Sequence, residues 1–386
     1  MTRPIVFLDL SRLVRRFADG GGPTGIDRIE MAYAHWLLRQ ERFVGVAVGR
    51  RGKGLAALRP GAVEMLIMAL GGRWSGTRRS APPAFARPMA RAAGALRAQQ
   101  LFARGPLHTD GAPSVYLNVG HDGLDEAARF DALPGAFAAL ISDVIPITHP
   151  EYDTPRATHL QRQRVATLAA RADHVACVSA AARDALLSVS DGASYTTSVA
   201  HLAPSLAPQP RRPAERATFV HISSMDRRKN VPLLLHLWRD MAMEGGPVPR
   251  LVLIGRAGND GTAAELIRRC EVIEPHLVVR GSVSDAQVAA ALAEATALLS
   301  PSFVEGFGLP VIEARAAGVP VVASDIPSHR EIGGADTIFC HPLDGPAWRA
   351  AIEQLAAERP EPGPAPLPDW DAHFATMEAM LAPLAR

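Results

Sequence analysis

The stretch "TALLSPSFVEGFGLPVIEARAAGVPVVAS" (296–324) reads as a strand, a turn, a helix and a second strand. Its apolar runs at 296–300 and 319–324 are short and unbroken, the pattern of strands buried on both faces. Pro310 falls near the first helical position, where its missing N–H costs nothing. Gly306 and Gly308 permit positive φ and leave room for a ligand to approach the backbone. A helix that starts this way offers N–H groups with no intrahelical partner, which is an anion site. Glu305 precedes that site and Glu313 lies about one turn into the helix. Neither carboxylate favours a phosphate by charge, whereas both suit vicinal hydroxyls. The combination fits a sugar nucleotide, with its diphosphate at the helix start and hydroxyls to either side. A capping glutamate and a second on a solvent face is the plainer reading, and it suits one glutamate better than two.

The same rhythm continues outward. Strand-like runs at 218–223, 250–255 and 277–281 alternate with helical patterns, which predicts a doubly wound α/β sheet. The first half repeats the theme at 4–10, 44–49, 114–120, 139–147 and 174–179, with a helix from about Ile26 to Gln40 after the loop "DGGGPTGIDR". A proline-rich stretch at 202–216 separates the halves, and another at 358–371 precedes a final helix. The expected organisation is an N-terminal Rossmann-like domain over 1–203, a linker over 204–216 and a C-terminal Rossmann-like domain over 217–365. A helix within 366–386 follows, and packing back on the first domain is one option for it. The two doubly wound domains are expected to face each other across a cleft.

Composition narrows the function. The 386 residues carry 41 basic and 39 acidic side chains, a net +2 that argues against a nucleic-acid binder. Three dispersed cysteines fit a reducing cytoplasm. The N-terminus has the reverse of a signal peptide's order, and no apolar run is long enough to span a bilayer. Lys53 and Lys229 are the only lysines, so Lys229 in "SSMDRRKN" (223–230) stands out. That segment sets Arg227, Arg228 and Lys229 at a strand end and a helix start, where cations oppose the helix dipole and call for an anion. From Arg73 to Arg104 there are seven arginines and no acidic residue. Its amphipathic second part suits an anionic membrane surface, and it suits a solvated helix packed on the first domain equally well.

These residues resemble a known family. "EGFGLPVIEA" is similar to the E-x7-E motif of retaining glycosyltransferases of the GT-B class, family 4, and "RRKN" to their Arg-Lys pair. "ASDIPSHREIGG", "SDVIPITHPEY", "ADHVACVSAAARDAL" and "PTGIDRIEMAY" extend the likeness in order along the chain. The resemblance implies that Glu313 holds the ribose and that Glu305, with the backbone of Gly306, Phe307, Gly308 and Leu309, holds the transferred sugar and the diphosphate. It further implies that Arg228 and Lys229 neutralise the leaving diphosphate, that the base lies near Ser282 and Val283, and that Gly25 lets its loop approach donor phosphate or acceptor. Many relatives carry His-Asp where this chain has Ser142-Asp143, which touches the N-domain contacts and the identity of the sugar. His149, seven residues on, is no obvious substitute.

The implied activity is transfer of a hexose, with mannose from GDP-mannose preferred to UDP-sugars, to a polysaccharide or lipid-linked acceptor in bacterial surface glycan synthesis. The enzyme is expected in the cytoplasm, at the inner face of the membrane if the basic segment binds it, and to use no cofactor and no metal. A nucleotide-sugar epimerase on the same scaffold and a non-catalytic nucleotide-sugar-binding subunit are the alternatives.

Overall fold

The structure, a computed structural model, describes residues 3–20, 22–76, 103–360 and 366–385. Most of the basic Arg73–Arg104 stretch therefore lies outside the described residues. The chain divides into two compact units, Met1–Leu202 with Trp370–Arg386, and Ala203–Asp369.

Unit 1 is built on a sheet of β1 (Ile5–Asp9), β2 (Val44–Arg51), β3 (Gly54–Leu58), β4 (Ala103–Gly105), β5 (Ser114–Asn118), β6 (Ala136–Ile141), β7 (His174–Cys177) and β8 (Thr196–Val199). The spatial order is β4-β3-β2-β1-β5-β6-β7-β8. All pairings are parallel except β2 with β3 and β3 with β4. Every residue of β1 and β5 is buried, as central strands covered on both faces require. The run 139–147, expected as one strand, is corrected: β6 stops at Ile141 and a short helix, Ile145–Thr148, follows. Pro146 has no N–H for a ladder, and the Asp143 carboxylate accepts from the Ile145 N–H at 3.1 Å, which turns the chain.

The Trp370–Leu384 helix belongs to unit 1. Tyr33 Oη and His373 Nε2 lie 2.8 Å apart, Trp36 Nε1 donates to Glu378 at 3.0 Å, and the Trp36 and Phe374 rings stack.

Unit 2 is a sheet of β9 (Thr218–Ile222), β10 (Arg250–Ile254), β11 (Leu277–Arg280), β12 (Ala297–Ser300), β13 (Val321–Ser324) and β14 (Ile338–Cys340). Its order is β11-β10-β9-β12-β13-β14 and every pairing is parallel. Phe219, Trp238 and Trp348 are fully buried in its core. Strand order reverses between β9 and β12, so the crevice of this fold opens at the C-terminal ends of those two strands.

The segment 204–216 is counted in unit 2. Arg211 Nη1 donates to the carbonyls of Leu292, Ala293 and Ala295, and the Arg212 N–H to Ala293. Those carbonyls lie at and just past the C-terminal end of the Asp285–Glu294 helix, where carbonyls run short of intrahelical partners, and that of Leu292 also accepts from the Ala295 N–H at 3.1 Å. Capping by arginine ties the proline-rich segment down.

Candidate functional site

Two loops meet at the crevice of unit 2. The first leaves β9 and makes a single 3-10 turn, Arg227–Lys229, before the Val231–Glu244 helix. Asn230 joins the two in the left-handed conformation (φ 53°), and its side-chain amide holds the Pro342 carbonyl at 2.9 Å. The second leaves β12 and runs through Pro301–Gly308 into the Leu309–Ala316 helix. The Phe303 N–H donates to the Arg228 carbonyl at 2.8 Å, which pins one loop to the other.

The side chains converge there. Arg228 Nη1 donates to Glu305 Oε2 at 2.7 Å and to the Val304 carbonyl at 3.2 Å. Lys229 Nζ donates to Glu305 Oε1, as does Ser302 Oγ at 2.8 Å. A carboxylate offers about four acceptor positions. Three of Glu305's are therefore taken by its own neighbours, and roughly one remains for an outside hydroxyl. Burial by itself would raise the Glu305 pKa, but Arg228 and then Lys229 outweigh it and hold the carboxyl far below its ordinary range. Burial, followed by Arg228, pulls Lys229 below the usual lysine value, against the opposing pull of Glu305.

Two imidazoles floor the cluster. His221, on β9, is held by the Leu299 carbonyl at 2.8 Å and Ser223 Oγ at 2.6 Å, and burial brings its pKa down to about 4. His329 is held by the Ser324 carbonyl at 3.1 Å, and burial lowers its pKa as well. Both rings are thus neutral at pH 7 and add no charge to the site.

The helix beside this cluster begins at Gly308, with φ 111° and ψ 49° and no side-chain cap. A Cβ at Gly308 would lie 3.1 Å from both the His329 ring and Ile332, a tight contact added to a φ that favours glycine. By contrast the Asp285–Glu294 helix of the same unit is closed by a Ser284–Gln287 capping box. Gly306 and Phe307 are buried in the turn, Leu309 is half-buried, and Glu313 is 4% exposed on the helix.

The structure thus brings Arg228, Lys229 and Glu305 into direct contact, next to Gly306–Leu309 and the helix that carries Glu313. Ser282 and Val283 lie in the loop that follows edge strand β11, two places from β9 in the sheet. Gly25 and Asp143 belong to unit 1. Gly25 is the first residue of the Gly25–Leu38 helix, capped by Thr24 and Asp27, and Asp143 closes the turn after β6.

Three residues at the unit 2 site escaped the sequence reading: Ser302, His221 and His329. Ser302 stands three residues before Glu305 in the quoted turn, and that spacing was the available signal. In unit 1, His149 bonds Thr148 and stacks on Tyr152. The imidazole beside Ser142 comes instead from His121, after β5, whose Nε2 accepts from the Ser142 N–H at 3.3 Å.

Residues 216–358 match the family described as Glycosyl transferases group 1. Over 136 residues the chain is 35% identical to O-antigen chain mannosyltransferase B of Escherichia coli, covering 35% of each chain. Over 259 residues it is 28% identical to the serotype-specific mannosyltransferase WbdA of Escherichia coli, covering 59% of this chain and 31% of that one. The chain spans about a third of the length of these curated relatives. HepE of Anabaena, solved in complex with UDP-glucose, aligns over 98% of this chain and 99% of its own, with a TM-score of 0.64 at 17% identity. That likeness shows the fold: two doubly wound units of the GT-B type.

Proposed function

We propose, from the match of residues 216–358 to the family described as Glycosyl transferases group 1, that the chain is a retaining hexosyltransferase of surface glycan synthesis. Its donor on this reading is a nucleotide-diphosphate sugar, GDP-mannose ahead of UDP-sugars, and its acceptor a polysaccharide or lipid-linked glycan. The observation that carries the proposal is the convergence of Arg228, Lys229 and Glu305 at the β9/β12 switch point, beside an uncapped helix start. The names of the two mannosyltransferase relatives support mannose, while the UDP-glucose bound by HepE keeps a UDP-sugar as the competing donor.

The chemistry follows from charge. As the bond from C1 to the diphosphate oxygen breaks, its electron pair leaves with the nucleotide diphosphate. Arg228, Lys229 and the N-terminus of the Leu309–Ala316 helix stabilise that growing charge. The acceptor hydroxyl bonds to C1 on the face the diphosphate vacates, and its proton passes to a leaving phosphate oxygen. Glu305 sets the two cations and keeps about one acceptor position for a sugar hydroxyl, while Glu313 takes the ribose. The cations supply the charge that a divalent metal supplies elsewhere, so neither metal nor cofactor enters the proposal.

A thermal-shift panel with GDP, UDP, ADP and their sugar conjugates tests it. The expected result is a rise in melting temperature with GDP and GDP-mannose, clearly smaller in Glu313→Ala. A protein that no nucleotide stabilises would remove the main support for the reading, and stabilisation by UDP alone would replace the donor. Turnover of the preferred donor with an acceptor separates a transferase from a binding subunit. Isomerised donor formed without acceptor would mark an epimerase.

A further inference from the structure

Unit 2 opens its crevice where two neighbouring strands part. The β9–β12 ladder has two registered pairs, Phe219 with Ala297 and Val220 with Leu298, whereas the β9–β10 ladder runs on to Ile222 with Ile254. The next position of the shorter ladder holds His221 and Leu299, and a side chain joins them. His221 Nδ1 lies 2.8 Å from the Leu299 carbonyl. A carbonyl only accepts, so Nδ1 carries the proton and, in a neutral ring, Nε2 is bare. Ser223 Oγ lies 2.6 Å from Nε2 and donates to it, and the Ser224 carbonyl, 2.9 Å from the same oxygen, shares that proton. The residue is 2% exposed, and burial keeps the ring neutral. A buried carbonyl that leaves a ladder needs another donor, and here the donor is an imidazole.

Both loops of the site start from this ring. Beyond Ser223, Ser224 Oγ donates to Asp226 Oδ2, Asp226 Oδ1 accepts from the Asn259 N–H at 3.2 Å, and Asn259 Oδ1 accepts from the Arg227 N–H at 3.0 Å. The Lys229 N–H then donates to the Asp226 carbonyl at 2.8 Å, which closes the turn carrying Arg228 and Lys229. Beyond Leu299, the chain passes Ser302 on its way to Glu305, and the Phe303 N–H returns to the Arg228 carbonyl at 2.8 Å. An apolar side chain in place of the imidazole would fill the core and serve neither Leu299 nor Ser223.

We propose that His221 is a positioning residue for sugar transfer. By bonding Leu299 on one strand and Ser223 on the other, it sets the spacing between the loop of Arg228 and Lys229 and the loop of Glu305. It acts through those loops rather than on a substrate. A misplacement of about 1 Å can cost roughly 100-fold in rate, so a link at the root of both loops matters to the cations that meet the diphosphate. The role in transfer rests on the transferase reading; the loop spacing itself does not.

Two measurements on the full chain test the proposal. Titration calorimetry with GDP and with UDP compares the wild type with His221→Leu, His221→Asn, Lys229→Met and the double variant His221→Leu, Lys229→Met. The nucleotide that binds should bind at least about tenfold more weakly to His221→Leu. His221→Asn, whose amide N–H takes the place of Nδ1, should recover most of that loss. In the Lys229→Met background His221→Leu should cost less than about threefold, because one of the cations it places is gone. Hydrogen exchange without ligand reads the loop spacing directly. The Phe303 amide should exchange at least about tenfold faster in His221→Leu and near the wild-type rate in His221→Asn, with Leu253 of β10 unchanged. If His221→Leu fails to fold, His221→Gln, whose amide takes the place of Nε2 and leaves Leu299 without its donor, carries both comparisons. The proposal is overturned if His221→Leu binds nucleotide within about threefold of the wild type, if His221→Asn is no better than His221→Leu, or if the loss is the same with and without Lys229. An unchanged Phe303 amide overturns it as well. Should neither nucleotide bind the wild type, the transferase reading fails, and the Phe303 amide alone decides whether His221 sets the loops.

Discussion

The two units share a doubly wound order, yet they treat a buried carboxylate in opposite ways. Glu305, at the switch point of unit 2, receives Arg228, Lys229 and Ser302, and stays ionised although burial works against it. Glu30, fully buried in unit 1, receives no hydrogen bond among the described residues. Burial, with Asp9 adding to it, pushes its pKa well above the ordinary glutamate value and disfavours its charged form. Burial alone does not decide the charge of a carboxyl; the partners that arrive with it do.

The largest test of that contrast is Glu305→Ala. It leaves the buried Lys229 and the half-buried Arg228 without their counter-ion, and unit 2 should lose about 2–4 kcal/mol in urea unfolding, toward the lower part of the cost of breaking a buried pair. A loss under about 1 kcal/mol would show that solvent already screens the cluster. Lys229→Met should slow sugar transfer about 100-fold by removing one cation from the leaving diphosphate. An unchanged rate would pass the whole task to Arg228 and the helix start.

Gly308→Ala comes next, at about 1–2 kcal/mol, because it combines a φ of 111° with a close approach to His329 and Ile332. Nucleotide binding should weaken along with stability, since the same turn begins the helix. Stability lost without any change in binding would separate the turn from the donor site.

The smallest effect separates the units by pH. The Glu305 pKa is depressed in the folded state, so its stabilisation is present above the unfolded value near 4.5 and is lost as pH falls below it. Asp9 in unit 1 is raised by burial from 3.8 to about 6, so its contribution is present below 3.8 and is lost as pH climbs through about 6. Glu30, raised as well, slopes the same way as Asp9. Calorimetry from pH 4 to 8 should show unit 1 weakening as pH rises, and Glu30→Gln should flatten that slope with a change under about 1 kcal/mol at pH 6. Parallel slopes in the two units would break the comparison.

Much of unit 2 was legible in the sequence because its signals are local. The 296–324 stretch holds strand, turn and helix start in consecutive residues, and glycine, proline and apolar runs each act on their immediate neighbours. Lys229 stood out by rarity, and Glu305 and Glu313 by position. Unit 1 was harder to read. Its 139–147 run looked like one strand until Pro146 and the Asp143 cap divided it, and a cavity within it is lined from five separate parts of the chain. No residue pattern announces that Arg12 and Arg164 line one space.

The sequence by itself determined the alternation of strands and helices, the glycine turn and the cations that follow β9, because propensity, periodicity and turn chemistry act over a few residues. Tertiary structure alone decided that Lys229 and Glu305, 76 positions apart, share a hydrogen bond. It also placed an imidazole beside Ser142 from the neighbouring strand and set His221 at the root of both loops of the site. Pairings of this kind depend on strand order, and strand order is set by how the whole sheet buries its apolar faces.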